Sequence, residues 1–304
     1  TFSFAFDLDS GLFLRETRNG NSTVDGIYLV ASFVCNWMIV FVIWKFGSFS
    51  HSFVTLTANQ SFFQAIHSSI YLFYVFPMIS LDSAYLKEKS YHIGYLILIC
   101  YDSSMQIHFI MTINRLLAVT TSFLYAKIFS QRTTKLVCIV SFAVSFSIIT
   151  LMTYLDTIWM FEYSEQTICQ TYLKFNNLGK ITFFVISNVV LDTITVTRLS
   201  YKRRKLQKST NSISSVLNKK EIDFLKQSFS QGIMLFLGLS VFIFAPEMVM
   251  DPMIAFLMSS LFWCFLHAFD GLTTILYNSD IQRYIRKVFG KQNSIVAVSS
   301  CLNR

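Results

Sequence analysis

Three acidic residues lie inside long stretches that are otherwise free of charge: Asp102, Asp192 and Asp270. A carboxylate in apolar surroundings is costly, so each of the three is a functional hypothesis. Asp270 follows His267 by three residues, which puts both on one helix face where they can pair. Gln106 follows Asp102 by four residues. This polar face is a candidate to contact a ligand, to line a core network, or to hold a proton so that Asp102 is neutral. Asp192 comes late in its stretch, where we expect a structural or switching role.

Amide side chains stand in two further apolar stretches. Asn36 lies in the first stretch, and Asn59 and Gln60 lie in the second. If the stretches pack side by side as helices, these amides reach a depth similar to that of His267 and Asp270, and hydrogen bonds among them satisfy the whole set. Such a polar network is either a static connection between helices or a hydrated switch that rearranges. The sequence leaves both interpretations open.

The histidines and the nucleophilic side chains show no enzymatic arrangement. The five histidines are scattered along the chain, and none has the spacing of a metal-binding pair on a helix. No nucleophile motif accompanies them. We therefore expect no catalytic residue, no metal site and no cofactor, and we do not expect an enzyme.

Elements of very apolar composition must position these polar residues. Of the 304 residues, 53% are hydrophobic and 14% are charged, against roughly 25% charged in soluble domains. This composition excludes a soluble globule and a disordered chain. The sequence predicts an all-α fold, a seven-transmembrane helix bundle, because the apolar stretches are too long for barrel strands and lack strict alternation. The seven stretches are 26–44, 46–81, 90–114, 136–155, 181–197, 227–246 and 252–279.

The basic residues are unevenly divided between the two sides of such a bundle. Of the 25 Lys and Arg residues, 19 fall in connections on the side of the C-terminus and six on the side of the N-terminus. Because positive charge collects on the cytoplasmic side, the N-terminus is predicted to lie outside. The sequon Asn21-Ser22-Thr23 agrees with this orientation as a glycosylation site. Topology thus accounts for the net charge of +8, and nucleic acid is not an expected partner.

A short amphipathic segment follows the seventh stretch. After Tyr277, apolar residues recur at helical spacing over 281–289, with three basic residues on the other side. This pattern predicts an eighth helix that lies on the inner leaflet of the bilayer. The chain therefore divides into an extracellular segment 1–25, a seven-helix domain 26–277, and a segment 278–304 with the amphipathic helix and the cytoplasmic tail.

Three local motifs resemble those of one receptor family, the nematode serpentine chemoreceptors of class X. Its third-helix motif is similar to Ile-Asn-Arg-Leu-Leu-Ala-Val at 113–119 followed by Tyr-Ala-Lys-Ile-Phe-Ser at 125–130. Its sixth helix starts like Lys-Glu-Ile-Asp-Phe-Leu-Lys-Gln at 220–227, and its seventh resembles His-Ala-Phe-Asp-Gly-Leu at 267–272. The motifs occur in the right order, and the class lies within the superfamily of G-protein-coupled receptors.

The resemblance implies a plasma-membrane receptor of sensory neurons that binds an external small molecule, as in olfaction, and activates a heterotrimeric G protein. Arg115 stands where the Asp/Glu-Arg-Tyr motif of this superfamily has its arginine, but Asn114 replaces the acid. Gly271 stands where the Asn/Asp-Pro-x-x-Tyr motif has proline. The residues to which the resemblance gives coupling and switching roles are Asn114, Arg115, Tyr125, Asp270 and Tyr277.

A secondary transporter is the alternative function, since intramembrane carboxylates can couple transport to protons. Such transporters usually show internal repeats and helices that are broken near the middle of the membrane. The three prolines, at positions 77, 246 and 252, avoid the middle of each stretch, and no repeat is detectable. These features favour the receptor.

Overall fold

The computed structural model describes nine parts of the chain. Almost every residue in them is helical and none lies in a strand, which confirms the all-α class. Asn21 and the tail from residue 288 lie outside the described residues. The described parts are 22–46, 52–81, 83–162, 166–207, 226–227, 229–238, 240–241, 262–278 and 281–287.

The described helices follow the predicted stretches in order. The described helices are α1 Ser22–Phe46, α2 Ser52–Ile70, α3 Phe76–Ser80, α4 Ala84–Thr120, α5 Ser122–Ile128, α6 Gln131–Glu162, α7 Gln166–Gln207, α8 Phe229–Gly238, α9 Phe262–Tyr277 and α10 281–287. Helices α1, α4, α6 and α7 extend beyond the first, third, fourth and fifth stretches at both ends. Helices α2 and α3 both lie in the second stretch, α8 lies in the sixth and α9 in the seventh.

Four helices in the described residues are long and apolar enough to cross a membrane. The qualifying segments are Gly26–Lys45, His92–Thr120, Gln131–Leu151 and Gly179–Lys202. Large aromatic and aliphatic side chains lie exposed along α1, α6 and α7. Soluble monomers rarely expose apolar patches of this extent, so these are the faces that lipid would cover.

A π-helical turn, Tyr71–Val75, interrupts the second span just before Pro77. The Phe76 amide donates to the carbonyl of Tyr71, five residues back instead of four. Proline lacks an amide hydrogen, and its ring collides with the carbonyl one turn earlier in a regular helix. The wider turn makes room for the ring, and the helix resumes as α3.

Helix α4 is the central element of the described bundle, because α2, α6 and α7 all pack against it. Its start is capped by Ser83, whose hydroxyl accepts from the Leu86 amide at 3.4 Å. Hydroxyl side chains of this kind satisfy the free amides of a first turn. The 37 residues of α4 therefore run without interruption from the Ser83 cap to Thr120, where the functional candidates of the third span end.

The predicted eighth helix is present over residues 281–287. The Asn278 side chain accepts from the Ile281 amide at 3.1 Å, which caps this helix directly after α9. Ile281 is buried against apolar side chains of α1, including Ile39 and Ile43. This contact fixes α10 beside the C-terminal end of α1, while its basic side chains stay exposed.

Candidate functional site

Arg115 is buried at the C-terminal end of α4, with only 7% of its surface exposed. Its Nε donates to the Met111 carbonyl at 3.2 Å, and its guanidinium carbon lies 5.7 Å from the centre of the Phe53 ring in α2. A buried guanidinium needs compensating charge. The buried carboxylate of Asp192 in α7 is close enough to interact electrostatically with Arg115 and so contributes negative charge to this site. The arginine is therefore held between helices.

The side chain of Asn114, next to Arg115 in the sequence, forms a separate hydrogen bond with α2. Its amide donates to the Ser52 hydroxyl in α2 at 3.0 Å. The same hydroxyl lies 2.9 Å from the hydroxyl of Tyr125 in α5. Neutral hydrogen bonds thus join α2, α4 and α5 at the position where the receptor motif has an acid.

Asp192 stands close to α8 as well as to α4. A methyl group built on Gly232 of α8 comes within 3.7 Å of an Asp192 carboxylate oxygen. A side chain larger than hydrogen at this position would therefore be in van der Waals contact with the carboxylate, so Gly232 leaves the space beside Asp192 free. A movement of α8 changes the surroundings of the Arg115–Asp192 pair directly, because buried charges respond strongly to hydration.

Two glutamines contact α9: Gln231 of α8, and Gln227, which precedes α8 in the chain. Gln227 donates to the Thr274 hydroxyl at 2.9 Å, and Gln231 lies 3.3 Å from the same hydroxyl. Gln231 also donates to the backbone carbonyl of Asp270 at 3.2 Å. Thr274 occupies the place where the receptor motif has tyrosine. In this chain the residue at that place forms hydrogen bonds with two glutamine amides through its hydroxyl. Tyr277, one turn later, is half-buried.

Asp270 and His267 do not pair with each other. The Asp270 carboxylate accepts from the Gln64 amide of α2 at 2.8 Å. Both ring nitrogens of His267 lack a hydrogen-bond partner in the part of the chain that the structure describes. The His267 ring instead contacts the ring of His67 in α2, with 4.4 Å between the centroids. The expected intrahelical pair is thus replaced by contacts between α9 and α2.

The amides predicted for the polar network divide into two groups. Asn36 joins α1 to α9, since its amide donates to the His267 carbonyl at 3.2 Å and to the Ser32 carbonyl at 2.9 Å. Gln60 instead reaches α4, with its amide 3.3 Å from Nδ1 of His108. Asn59 donates to the carbonyl of Thr55 in its own helix, and the structure does not bring it to the cluster. Thus only some of the expected members meet.

A small cavity lies among these groups, between α2, α4, α8 and α9. Its volume is about 20 Å³, enough for about one water molecule. Its lining combines polar and apolar side chains: Gln60, Gln64, Tyr101, Ser104, Met105, His108, Gln231, Leu235, Leu266, His267 and Asp270.

Helices α9 and α1 approach each other closely at Gly271. A Cβ atom built there lies 2.9 Å from the Cβ of Cys35 and 3.2 Å from the amide oxygen of Asn36. Contacts this short do not occur between ordinary side chains. The position that carries proline in the receptor motif must therefore be glycine in this chain for α1 to remain in place.

We expect Gly271→Ala to separate α9 from α1 and to destabilise the fold by about 1–3 kcal/mol, because overpacking forces backbone shifts. The measurement is the thermal unfolding midpoint of the purified protein in lipid discs. Gly94→Ala is the matched control, since no atom lies within 4 Å of a Cβ built at that helical glycine. Equal midpoints for the two variants would contradict the prediction.

Asp102 and Gln106 face α6 and α7 and do not line the central cavity. The Asp102 carboxylate forms a salt bridge of 2.5 Å with the ammonium of Lys180. Gln106 donates to the other carboxylate oxygen at 2.8 Å, and its own oxygen accepts from the Ser141 hydroxyl of α6 at 2.9 Å. Lys180 precedes the stretch 181–197 and is one of the six basic residues counted on the side of the N-terminus. The structure places it inside α7, where its ammonium neutralises Asp102.

Comparison with known proteins decides the family. The model of the family described as serpentine type seven-transmembrane G-protein-coupled chemoreceptors, Srx, matches residues 29–278. The chain belongs to this family. Serpentine receptor class X 45 of Caenorhabditis elegans is 26% identical to this receptor over an alignment of 291 residues, and the match covers 86% of the chain and 80% of that relative. The resemblance drawn from the three motifs is confirmed, and with it a multi-pass membrane receptor.

Several residues of this Srx receptor's polar sites could not be selected from the sequence. Ser52, Gln64 and His67 are unremarkable polar residues in α2, and only the rotation of that helix turns them toward α4 and α9. The one signal in the sequence that could have selected them is their helical spacing, because a polar stripe along an apolar helix indicates a buried face.

Proposed function

We propose that this receptor binds an external small molecule and activates a heterotrimeric G protein at the inner face of the plasma membrane. The family assignment supports the chemosensory role, and the charge distribution supports an outside N-terminus. The observation that carries the coupling proposal is the burial of Arg115 at the C-terminal end of the central helix, against Asp192 of another helix. By family resemblance, sensory neurons are the proposed site of expression.

The proposed mechanism is a shift between two states of the helix bundle. In the closed state, Asp192 neutralises Arg115 and α8 passes the pair closely at Gly232. A ligand that binds the open state better raises its population by its differential affinity. Movement of α8 away from α7 then hydrates the pair and exposes Arg115 to the G protein. The hydrogen bonds that Asn114 and Tyr125 form with the Ser52 hydroxyl keep α5 attached to α4 in both states.

The ligand site is proposed near Asp102 and Gln106, toward the outer part of α4. Asp102 precedes Arg115 by 13 residues, about 20 Å along the helix. Lys180 now belongs to this proposal, because its ammonium neutralises Asp102 and retains 24% exposure. A polar ligand that replaces Lys180 or Asp102 in this ion pair changes the attachment of α7 to α4. Because Asp192 also lies in α7, this change connects the ligand site to Asp192.

A nucleotide-exchange screen tests the proposed function. The receptor is reconstituted in vesicles with a panel of heterotrimeric G proteins and exposed to volatile and water-soluble small molecules. We expect some compounds to accelerate exchange in receptor vesicles and not in empty ones. Compound-driven flux of a solute across the vesicle membrane without nucleotide exchange would instead support a transporter.

Asp192→Asn should raise basal nucleotide exchange, because it leaves the Arg115 guanidinium without its counter-charge in the closed state. An uncompensated buried charge favours the conformation that hydrates it. Basal exchange is measured at equal surface expression, with Thr193→Ala as a control at the next, exposed position of α7. Unchanged basal exchange in Asp192→Asn would argue against the closed-state pair.

Asn21→Gln tests the proposed orientation, since only a sequon outside the membrane meets the glycosylation machinery. We expect glycosidase treatment to shift the apparent mass of the wild-type receptor and to leave that of Asn21→Gln unchanged. Asn59→Gln removes the second sequon, which lies within α2, and should leave the shift intact. A wild-type receptor without a glycosidase-sensitive shift in a glycosylating cell would contradict the orientation.

A further inference from the structure

Three histidines and one aspartate meet at the small cavity in the centre of the bundle. His108, His267 and Asp270 belong to its lining, and His67 contacts His267 ring to ring. The three imidazoles are buried. The described residues hold no group of three or more ligands able to bind a metal ion, so a metal does not explain the cluster.

The imidazole nitrogens of this cluster are short of partners. Both nitrogens of His267, Nδ1 of His67 and Nε2 of His108 have no hydrogen-bond partner among the described residues. The Gln60 amide donates to Nδ1 of His108, so the neutral ring carries its proton on the unpartnered Nε2. Buried polar atoms rarely remain unsatisfied. His108 and His267 line a cavity with room for about one water molecule, and His67 lies next to His267, which fits a hydrated site.

Asp270 brings a carboxylate to the same cavity without a compensating cation. Its carboxylate accepts from the neutral Gln64 amide, and no Lys or Arg forms an ion pair with it in the part of the chain that the structure describes. A lone carboxylate at this depth is costly when it is ionised. A positive charge bound nearby, or a proton on the carboxylate itself, removes that cost.

We propose that the cavity between α2, α4, α8 and α9 is a proton-binding site, in which Asp270, His67 and His267 share protons through a water molecule. Uptake is a simple transfer: a hydronium ion gives its proton to the imidazole lone pair, an N–H bond forms, and water remains. His108 is less suited to this role, since Arg115 interacts electrostatically with it and repels an added proton.

The neighbouring groups determine the direction of the effect. Apart from Asp270 and the histidines, the described groups that face the cluster are neutral at physiological pH. They are the amides of Asn36, Gln60, Gln64 and Gln231, and the phenols of Tyr101 and of Tyr71, whose ring stacks on His67. Nothing among them neutralises a second positive charge in the closed cavity. A proton beyond the one that compensates Asp270 therefore favours a state in which the cavity is open to water, by up to tenfold per pH unit for one proton.

A fluorescence titration tests the proposal without a G protein or a ligand. The full-length receptor in lipid discs carries a fluorescent amino acid at position 226, an exposed helical residue just before α8. We expect a spectral transition between about pH 8 and pH 5, the range in which histidines titrate. His67→Gln and His267→Gln should each reduce its amplitude by at least half, and His92→Gln, at an exposed histidine, should preserve it.

The alternative results are distinguishable. A transition that persists in both buried variants, or none in the wild type, overturns the proposal. So does a transition that follows replacement of sodium by choline at constant pH and ignores pH, because the bound cation is then a metal ion. In the unmodified receptor, ¹⁵N resonances of the imidazoles provide the independent measurement. We expect a signal assigned to His67 or His267 to change to the protonated form on acidification; two invariant signals contradict the site.

Discussion

We expect the Arg115→Ala receptor to reach the cell surface and to lose all ligand-driven nucleotide exchange. Arg115 lies at the C-terminal end of the central helix, where its guanidinium is within reach of Asp192, Phe53 and the Met111 carbonyl. In the proposed mechanism this guanidinium is the group that meets the G protein once α8 has moved. Alanine removes the contact and the charge together, and the measurement is the initial rate of exchange with any activating compound from the screen.

Two control variants distinguish coupling from folding. Arg132→Ala removes an exposed arginine at the start of α6 and should leave exchange close to the wild-type rate. Arg115→Lys keeps the charge but loses the planar fork of donors, so we expect partial activity. Compound binding by Arg115→Ala should persist, since the proposed ligand site is about 20 Å away along α4. Normal exchange in Arg115→Ala would disprove the coupling role.

The second large effect concerns the ion pair between α4 and α7. Lys180→Met should destabilise the receptor by about 3–5 kcal/mol, because it leaves the Asp102 carboxylate, 3% exposed, without its cation. The Gln106 amide alone cannot neutralise it. Thermal unfolding of purified receptor in lipid discs measures the loss as a lowered midpoint. The double variant Asp102→Asn with Lys180→Met should recover most of it, since no buried charge then remains.

A surface ion pair provides the matched control for this prediction. Lys89 and Glu88 lie 3.4 Å apart on α4, with 53% and 71% of their side chains exposed. Exposed pairs contribute roughly 0–1 kcal/mol, so Lys89→Met should leave the unfolding midpoint nearly unchanged. If Lys180→Met behaves like Lys89→Met, the buried pair does not attach α7 to α4.

The sequence predicts those features that follow from length, composition and order along one helix. The spans, the eighth helix and the position of Arg115 at the end of α4 belong to this class, since each follows from the length of an apolar run and from the residues that end it. The partner of Arg115 does not. Asp192 is 77 residues away, and only the rotation of α7 about its axis brings the carboxylate to the arginine.

The same limit applies to the polar network. Asn36 and His267 meet because α1 and α9 approach closely at Gly271. Asn59 and Gln60 are adjacent in the sequence, so they project in directions about 100° apart, and only Gln60 reaches α4. Depth in the membrane can be read from a sequence, whereas the direction in which a side chain points depends on its neighbours.

The π turn in the second span has a consequence for how the receptor can change over evolution. One additional residue in a turn rotates everything beyond it by about 100°. The part of the helix before Tyr71 carries Gln64 and His67 toward the cavity, and within the π turn the Tyr74 hydroxyl donates to the Leu86 carbonyl at 2.6 Å. Gain or loss of that residue turns only the segment beyond the π turn, so contacts at that end of the bundle can diversify while the polar centre stays aligned.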